Sequence, residues 1–153
     1  MKFILISINP VYVKKILANE KTVEFRRRFN RGYVGGSFAI YGTEPIKSVI
    51  ATATITAVVK ESVTNLWKYY EKSGGVSESA FDKYFQGSST GYAILLEQIT
   101  KIDTLFTLKD LKSIGLTAPQ SYRYITKEQF KVITGIKQNG KKSQCINVTY
   151  RKM

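Results

Sequence analysis

The chain contains no histidine and only one cysteine, Cys145. The absence of histidine excludes Ser-His-Asp and Cys-His catalysis, histidine ligation of metals and any imidazole acid or base. A lone cysteine can form neither an intramolecular disulfide nor a multi-cysteine zinc site, and it indicates a reducing compartment. We therefore expect no metal and no cofactor.

Long apolar runs are also missing. The run at residues 3–8 is too short for a signal-peptide core and is broken by Asn9-Pro10. The run at residues 49–59 is interrupted by threonines and closed by Lys47 and Lys60, so it is not expected to span a bilayer. These features predict a cytoplasmic protein with no membrane partner.

Acidic side chains are scarce, with 11 Asp and Glu against 24 Lys and Arg, which gives a net charge of +13. The excess lies at the two ends of the sequence: residues 1–31 carry a net +6, residues 120–153 a net +7, and residues 32–119 are neutral. If the two ends meet in space, they form one basic face suited to phosphate backbones. Solubilisation by lysine is the simpler alternative.

The length of 153 residues and the apolar fraction of 43% are those of one folded domain spanning residues 1–153. Apolar periodicity and turn signals predict an α+β fold. The long strand at 48–59 shows strict alternation, with Val49 and Ile55 on one face and Ile50 and Val58 on the other. Predicted strands lie at 3–8, 22–28, 37–41, 48–59, 92–101 and 145–150, and predicted helices at 10–18, after Ser62, after Ser77, at 108–114 and after Thr126.

The stretch 19–28 concentrates charge where a helical pattern gives way to a strand pattern. In a strand, Val23 and Phe25 would point into the core, and Glu24, Arg26 and Arg28 would point to solvent. Lys21 stands at the turn just before them. The expected result is a polar site on a rigid element.

Lys21, Glu24 and Arg26 match the G-x-K-x-x-E-x-R signature of the ASCH domain, a branch of the PUA-like superfamily, with Asn19 in place of the glycine. Segments 7–10, 41–46, 81–87 and 119–124 resemble the same family in the same order. The resemblance implies a PUA-like mixed β-barrel of about five to six strands with flanking helices and a cleft at its mouth. It also implies an RNA-binding or regulatory role.

The favoured hypothesis is RNA binding, to single-stranded or structured RNA, with DNA as a possible partner. Arginine forks suit phosphates and base edges, and aromatic rings stack on unpaired bases. No helix-turn-helix, zinc-finger or basic-zipper signature points to the major groove of DNA. The candidate binding residues are Lys21, Glu24, Arg26, Arg27, Arg28, Arg31, Tyr41, Tyr122 and Arg123.

Other interpretations stay open at this point. Lys21, Glu24 and Arg26 could form a solvated surface ion pair, and the arginine run could protect an exposed strand edge. Lys21 and Glu24 could be catalytic residues of a ribonuclease, or of an amidohydrolase like the ASCH relatives that deacetylate an acetylated cytidine nucleoside. Those relatives carry a threonine where Glu24 stands here, so binding is favoured over catalysis. A protein-binding regulatory module is a third possibility, and the oligomeric state is left open.

Overall fold

A computed structural model describes residues 1–135 of the chain. The predicted strand at 145–150 and most of the basic segment after residue 120 lie outside the described residues. The strands are β1 Phe3–Ile8, β2 Val23–Arg26, β3 Ser37–Gly42, β4 Ser48–Ser62, β5 Thr90–Thr107 and β6 Tyr122–Ile125. The helices are α1 Pro10–Leu17, α2 Val63–Tyr70, α3 Glu78–Tyr84, α4 Leu108–Ser113 and α5 Lys127–Thr134, with a 3-10 turn at Arg31–Tyr33.

The six strands form one mixed sheet in the order β2-β5-β4-β3-β1-β6. β1 and β3 are parallel, and the other neighbouring pairs are antiparallel. The order leaves β2 and β6 as the two edges, which no backbone ladder joins among the described residues. The expected α+β, barrel-like PUA-like fold is confirmed, and its sheet is not closed by hydrogen bonding between strands.

β4 departs from the strict alternation that its sequence predicts. Its pairing shifts register at three places, between Val49 and Ala51, between Thr52 and Thr54, and between Ile55 and Ala57. Against β3 at the first place, and against β5 at the third, the extra residue lies on β4 and turns the following side chains to the other face. Between Thr52 and Thr54 the extra residue lies on β5. As a result Val49 and Ile55, predicted on the same face, pack in different core clusters. The bulges also bend the strand, which lets the sheet curl.

The core has three parts, and the third positions the site. One cluster lies between the sheet and α1, around Ile4 and Ile16. A second lies on the other face of the sheet under α4 and α5, around Leu111 and Ile133. The third packs α2 and α3 against β2 and β5. It contains Val23, Phe25, Leu66, Phe81, Phe85 and Ala93.

Local helix signals behave as the sequence predicts. The side chain of Asn9 caps α1 by accepting a hydrogen bond from the backbone N–H of Val11 at 2.9 Å. Asn19 adopts a left-handed backbone with φ 60° just after α1. Thr126 and Gln129 form the predicted capping box at α5. None of the helices in residues 1–135 is long and apolar enough to cross a membrane.

Candidate functional site

Lys21 lies buried at the turn between α1 and β2, and only 1% of it is exposed. Its Nζ donates a hydrogen bond to the carbonyl of Gly74 at 2.5 Å and lies 3.3 Å from Oε1 of Glu24. The same nitrogen is 5.3 Å from the ring centroid of Tyr12 and 5.6 Å from that of Phe25. A buried ammonium is tolerated here because a carboxylate, a carbonyl and two aromatic faces surround it.

Three consecutive carbonyls at 73–75, which we call the carbonyl loop, hold this turn in place. Ser73 accepts hydrogen bonds from the backbone N–H groups of Thr22 and Val23 at 3.0 and 3.1 Å. Gly74 accepts from Lys21, and Gly75 accepts from Nζ of Lys15 at 2.9 Å. The loop therefore fixes both the entry into β2 and the direction of the buried ammonium.

Glu24 is also buried, with 7% of it exposed. Its Oε2 accepts hydrogen bonds from Nε and Nη2 of Arg26 at 3.0 and 2.7 Å, while Oε1 faces Lys21. The prediction that this face of β2 points to solvent is therefore wrong for Glu24, and the alternative of a solvated surface pair fails with it. Alternation does separate Glu24 from Phe25, but the Glu24 carboxylate is enclosed by Lys21 and Arg26, which are themselves held by the carbonyl loop and by β1.

Arg26 links the two edges of the sheet. It lies on edge strand β2, and its Nη2 donates to the carbonyl of Ser7 on β1 at 2.8 Å. Its Nη1 donates to Oγ of Ser121, the residue before edge strand β6, at 3.1 Å. The hydroxyl of Ser7 in turn donates to the carbonyl of Pro119 at 2.6 Å. One guanidinium thus spans the opening between β2 and β6.

The protonation of Lys21 and Glu24 follows from burial and from their proximity. Burial lowers the pKa of Lys21, and the neighbouring Glu24 carboxylate only partly opposes this effect. For Glu24, burial by itself raises the pKa, but the Lys21 ammonium and the Arg26 guanidinium together hold it below its usual value. The site therefore contains one carboxylate between two cations, with Glu24 ionised at neutral pH.

The ionised Glu24 makes the free energy of unfolding fall as the pH becomes acidic. Because the folded pKa of Glu24 lies below its unfolded value of about 4.3, its contribution is fully present above that value. The contribution is lost as the pH falls through the folded pKa. We expect urea unfolding at a series of pH values to show a steeper acid loss of stability for the wild type than for Glu24→Gln. Equal slopes would contradict the assignment.

Two connected depressions open at this constellation. The smaller, called the pocket, has a volume of about 210 Å³ and mostly apolar walls. The larger, called the groove, has a volume of about 760 Å³ and is polar and open. The pocket is lined by Ile8, Asn9, Tyr12, Lys21, Glu24, Phe25, Arg26, Val76, Ala80, Phe81 and Tyr84. The groove is lined by Arg26, Arg27, Arg28, Tyr84, Ser88, Ser89, Thr90, Ser121 and Tyr122.

The groove carries positive charge, and no acidic residue is among its lining residues. Arg27 is anchored on Tyr84: its guanidinium lies 4.9 Å from the ring centroid, and its backbone N–H donates to the phenol oxygen at 3.2 Å. Arg28 is exposed. Arg26 and Tyr84 belong to both depressions, so the groove leads directly to the pocket.

The structure brings six of the nine predicted site residues to this cleft: Lys21, Glu24, Arg26, Arg27, Arg28 and Tyr122. Three lie elsewhere. Tyr41 is 3% exposed and packs with Leu5 in the second core cluster. Arg123 pairs with Leu5 across the ladder and so points to the opposite face from Tyr122. Arg31 is exposed on the 3-10 turn outside both depressions.

Sequence reasoning missed several lining residues. Tyr12 and Tyr84 have helical core spacing and were predicted to be core residues, yet they border the pocket, and Tyr84 is 37% exposed. The polar segment that contains Ser88 and Ser89 predicts a connection into the next strand and gives no sign of a binding site. The sequence does contain one sign that Tyr12 and Tyr84 border a pocket. A tyrosine at the margin of an apolar helix face presents its hydroxyl to water. Residues 1–135 contain no cluster of three or more side chains able to hold a metal ion.

Comparison with known proteins agrees with the fold. The ASCH domain-containing ribonuclease of Zymomonas mobilis is 35% identical over 133 residues, which cover 86% of this chain and 89% of the relative. The crystal structure of ASCH from Zymomonas mobilis matches with a TM-score of 0.82 and 34% identity, over 88% of this chain and 95% of that one. The chain therefore belongs to the ASCH family. No protein-family model matches it.

A more distant neighbour shares the fold alone. Human THYN1, solved in complex with DNA containing 5-methylcytosine, matches with a TM-score of 0.56 and 11% identity. The match covers 91% of this chain and 99% of that chain. The two proteins therefore share a fold although few of their side chains are the same.

Proposed function

We propose that this ASCH protein binds RNA at an unpaired segment. The observation that carries the proposal is a groove with three consecutive arginines, Arg26, Arg27 and Arg28, that opens into a small pocket with apolar walls. Phosphates lie in the groove and one base enters the pocket. The name of the Zymomonas mobilis relative, a ribonuclease, supports RNA as the ligand.

The chemistry of the two depressions fits an unpaired nucleotide. Guanidinium groups donate in a planar fork that matches phosphate oxygens. The pocket, at about 210 Å³, is smaller than the roughly 300–1,000 Å³ of most small-molecule clefts. Aromatic side chains from α1, β2 and α3 line it, and the buried Glu24 presents a carboxylate to the edge of a bound ring. A base in a duplex cannot reach such a pocket without leaving its stack, which favours single strands.

Charge removal tests the groove. We expect Arg27→Gln with Arg28→Gln to weaken binding of single-stranded RNA and to lower the salt slope of log K by about 1.4, since each lost phosphate contact of a single strand lowers it by about 0.7. The measurement is fluorescence anisotropy at two salt concentrations, with single-stranded RNA, duplex RNA and duplex DNA as competitors.

The control removes two exposed lysines outside the cleft, Lys109→Gln with Lys112→Gln on α4, and equals the test variant in charge. An identical effect of both double variants would show a diffuse charge effect instead of a groove. Absence of micromolar binding to every nucleic acid at low salt would overturn the proposal.

RNA cleavage is the second candidate, and two observations favour it: the relative's name and the lowered pKa of Lys21. A lysine acts as a general base only when its pKa approaches neutrality, and burial shifts Lys21 in that direction. Incubation with end-labelled RNA, followed by gel analysis for fragments with cyclic phosphate ends, tests it. Turnover that Lys21→Met abolishes while RNA binding survives would establish catalysis. If the RNA stays intact, cleavage is excluded and RNA binding remains as the function.

A further inference from the structure

A second concave surface lies beyond the groove, on the side of the 3-10 turn. Its volume is about 480 Å³, and Lys2, Asn30, Gly32, Tyr33 and Tyr124 line it. We call it the aromatic platform. Tyr124 is 48% exposed there, which is unusual for a large ring on a strand that pairs with the buried β1. Neither the ASCH signature nor the proposed function accounts for this surface.

The platform is built on a rigid base. Phe29 is buried and packs against both Tyr33 and Tyr122, with ring centroids 5.5 and 4.8 Å apart. Asn30 caps the 3-10 turn by accepting a hydrogen bond from the N–H of Gly32 at 2.8 Å. The rings of Tyr33 and Tyr122 are therefore held before any ligand arrives, which lowers the entropy cost of binding beside them.

The platform continues the groove. Tyr122 lines the groove and Tyr33 lines the platform, and their ring centroids are 6.1 Å apart in an edge-to-face contact. Tyr122 and Tyr124 are two residues apart on β6, so their side chains emerge on the same face of the strand. A chain that leaves the groove over Tyr122 therefore reaches Tyr124 next.

The charge on the platform matches that of a nucleic-acid backbone. Nζ of Lys2 lies over the ring of Tyr124, 5.5 Å from its centroid, so a cation contacts one face of this exposed ring. No acidic residue lines the platform. Arg31, predicted as a binding residue but absent from the groove, is exposed on the turn that borders the platform. Stacking surface and backbone charge thus occur together, as in proteins that bind single strands.

We propose that the aromatic platform is a second base-binding subsite, which holds a further nucleotide of the strand whose other base occupies the pocket. The base stacks on Tyr124, and its phosphate contacts Lys2. This inference rests on the proposed RNA binding and specifies its ligand: the protein takes a continuous unpaired segment of several nucleotides instead of a single nucleotide.

Length-dependent binding tests the subsite. The probes are a mononucleotide and single-stranded RNA of roughly ten nucleotides, within the usual site size of single-strand binders. We expect Tyr124→Thr, which keeps a β-branched residue in the strand, to weaken binding of the longer RNA by roughly fivefold or more and to leave the mononucleotide unaffected. Lys2→Gln should lower the salt slope for the longer RNA by about 0.7. The measurement is anisotropy or calorimetric titration.

The controls separate this subsite from the proposed function. Tyr69→Thr removes another exposed tyrosine, on α2 outside the platform, and should bind both probes like the wild type. If the wild type binds the longer RNA and Tyr124→Thr binds it equally well, the second subsite is overturned while RNA binding stands. If the wild type binds no RNA, both proposals fail. Equal weakening of both probes by Tyr124→Thr would indicate a folding defect and also overturn the subsite.

Discussion

Replacement of Glu24 by alanine should lower the free energy of unfolding by about 3–5 kcal/mol, the usual cost of removing one partner from a buried ion pair. Glu24 contacts both Lys21 and Arg26. Without it the ammonium of Lys21 stays buried with the carbonyl of Gly74 as its remaining hydrogen-bond acceptor. The change also leaves two like charges to repel each other. Urea unfolding followed by circular dichroism measures the effect.

Two further variants define what this loss means. Glu20→Ala removes an exposed carboxylate at the end of the preceding helix and should change stability by no more than about 0.5 kcal/mol. Glu24→Gln keeps an acceptor for one of the two cations and should fall between the wild type and Glu24→Ala. A loss below about 1 kcal/mol for Glu24→Ala would show that the pair behaves as a solvated surface bridge.

Gly74→Ala should be the second large effect, because the carbonyl loop leaves no room for a methyl group. A Cβ at this position would overlap the ring of Phe25 and lie 3.0 Å from the carbonyl oxygen of Tyr70. Overpacking of this kind costs about 1–3 kcal/mol. Movement of the loop to relieve it would also withdraw the carbonyl that Lys21 needs. We expect lower stability together with weaker binding of RNA.

Phe25→Leu provides the matched partner for Gly74→Ala. A smaller side chain at position 25 removes the ring that the new methyl group would strike, so the two changes should not be additive. The double variant should be more stable than the sum of the single losses predicts, by about 0.5–3 kcal/mol. Additive losses in the urea midpoints would show that Gly74 acts through the backbone and not through contact with Phe25.

Local patterns in the sequence predicted most of the elements, though not strand β6, and six of the nine candidate site residues lie in the cleft. Alternation in β2 correctly separates Val23 and Phe25 from Glu24, and the caps at Asn9 and Thr126 stand where their side chains predict. Burial of Lys21 and Glu24 could not be predicted this way, because the carbonyl loop that holds Lys21 lies about fifty residues further along the chain. Contacts of that kind depend on the tertiary fold and leave no local period.

The misplaced residues show the same limit. Tyr41 lies next to a polar turn and Arg123 lies between two tyrosines, but a strand has two faces and neither pattern says which face a side chain takes. The ladder of β6 with β1 decides it for Arg123, and the pairing of β3 decides it for Tyr41. In β4, the bulge between Val49 and Ala51 places Val49 and Ile55 in different core clusters, although the sequence alternates regularly.

The contacts of Arg26 bridge the opening between the two edges of the sheet, and we call this line of contact the seam. The two edges are joined there by single hydrogen bonds from one side chain to Ser7 and Ser121, and not by a ladder of backbone bonds. A segment held by few contacts opens at a lower free energy than the core. As the denaturant concentration rises, the contacts of the seam should therefore break before the three core clusters unfold. RNA binding should be lost at the same lower concentration. Bound RNA should have the opposite effect and hold the two sides of the seam together.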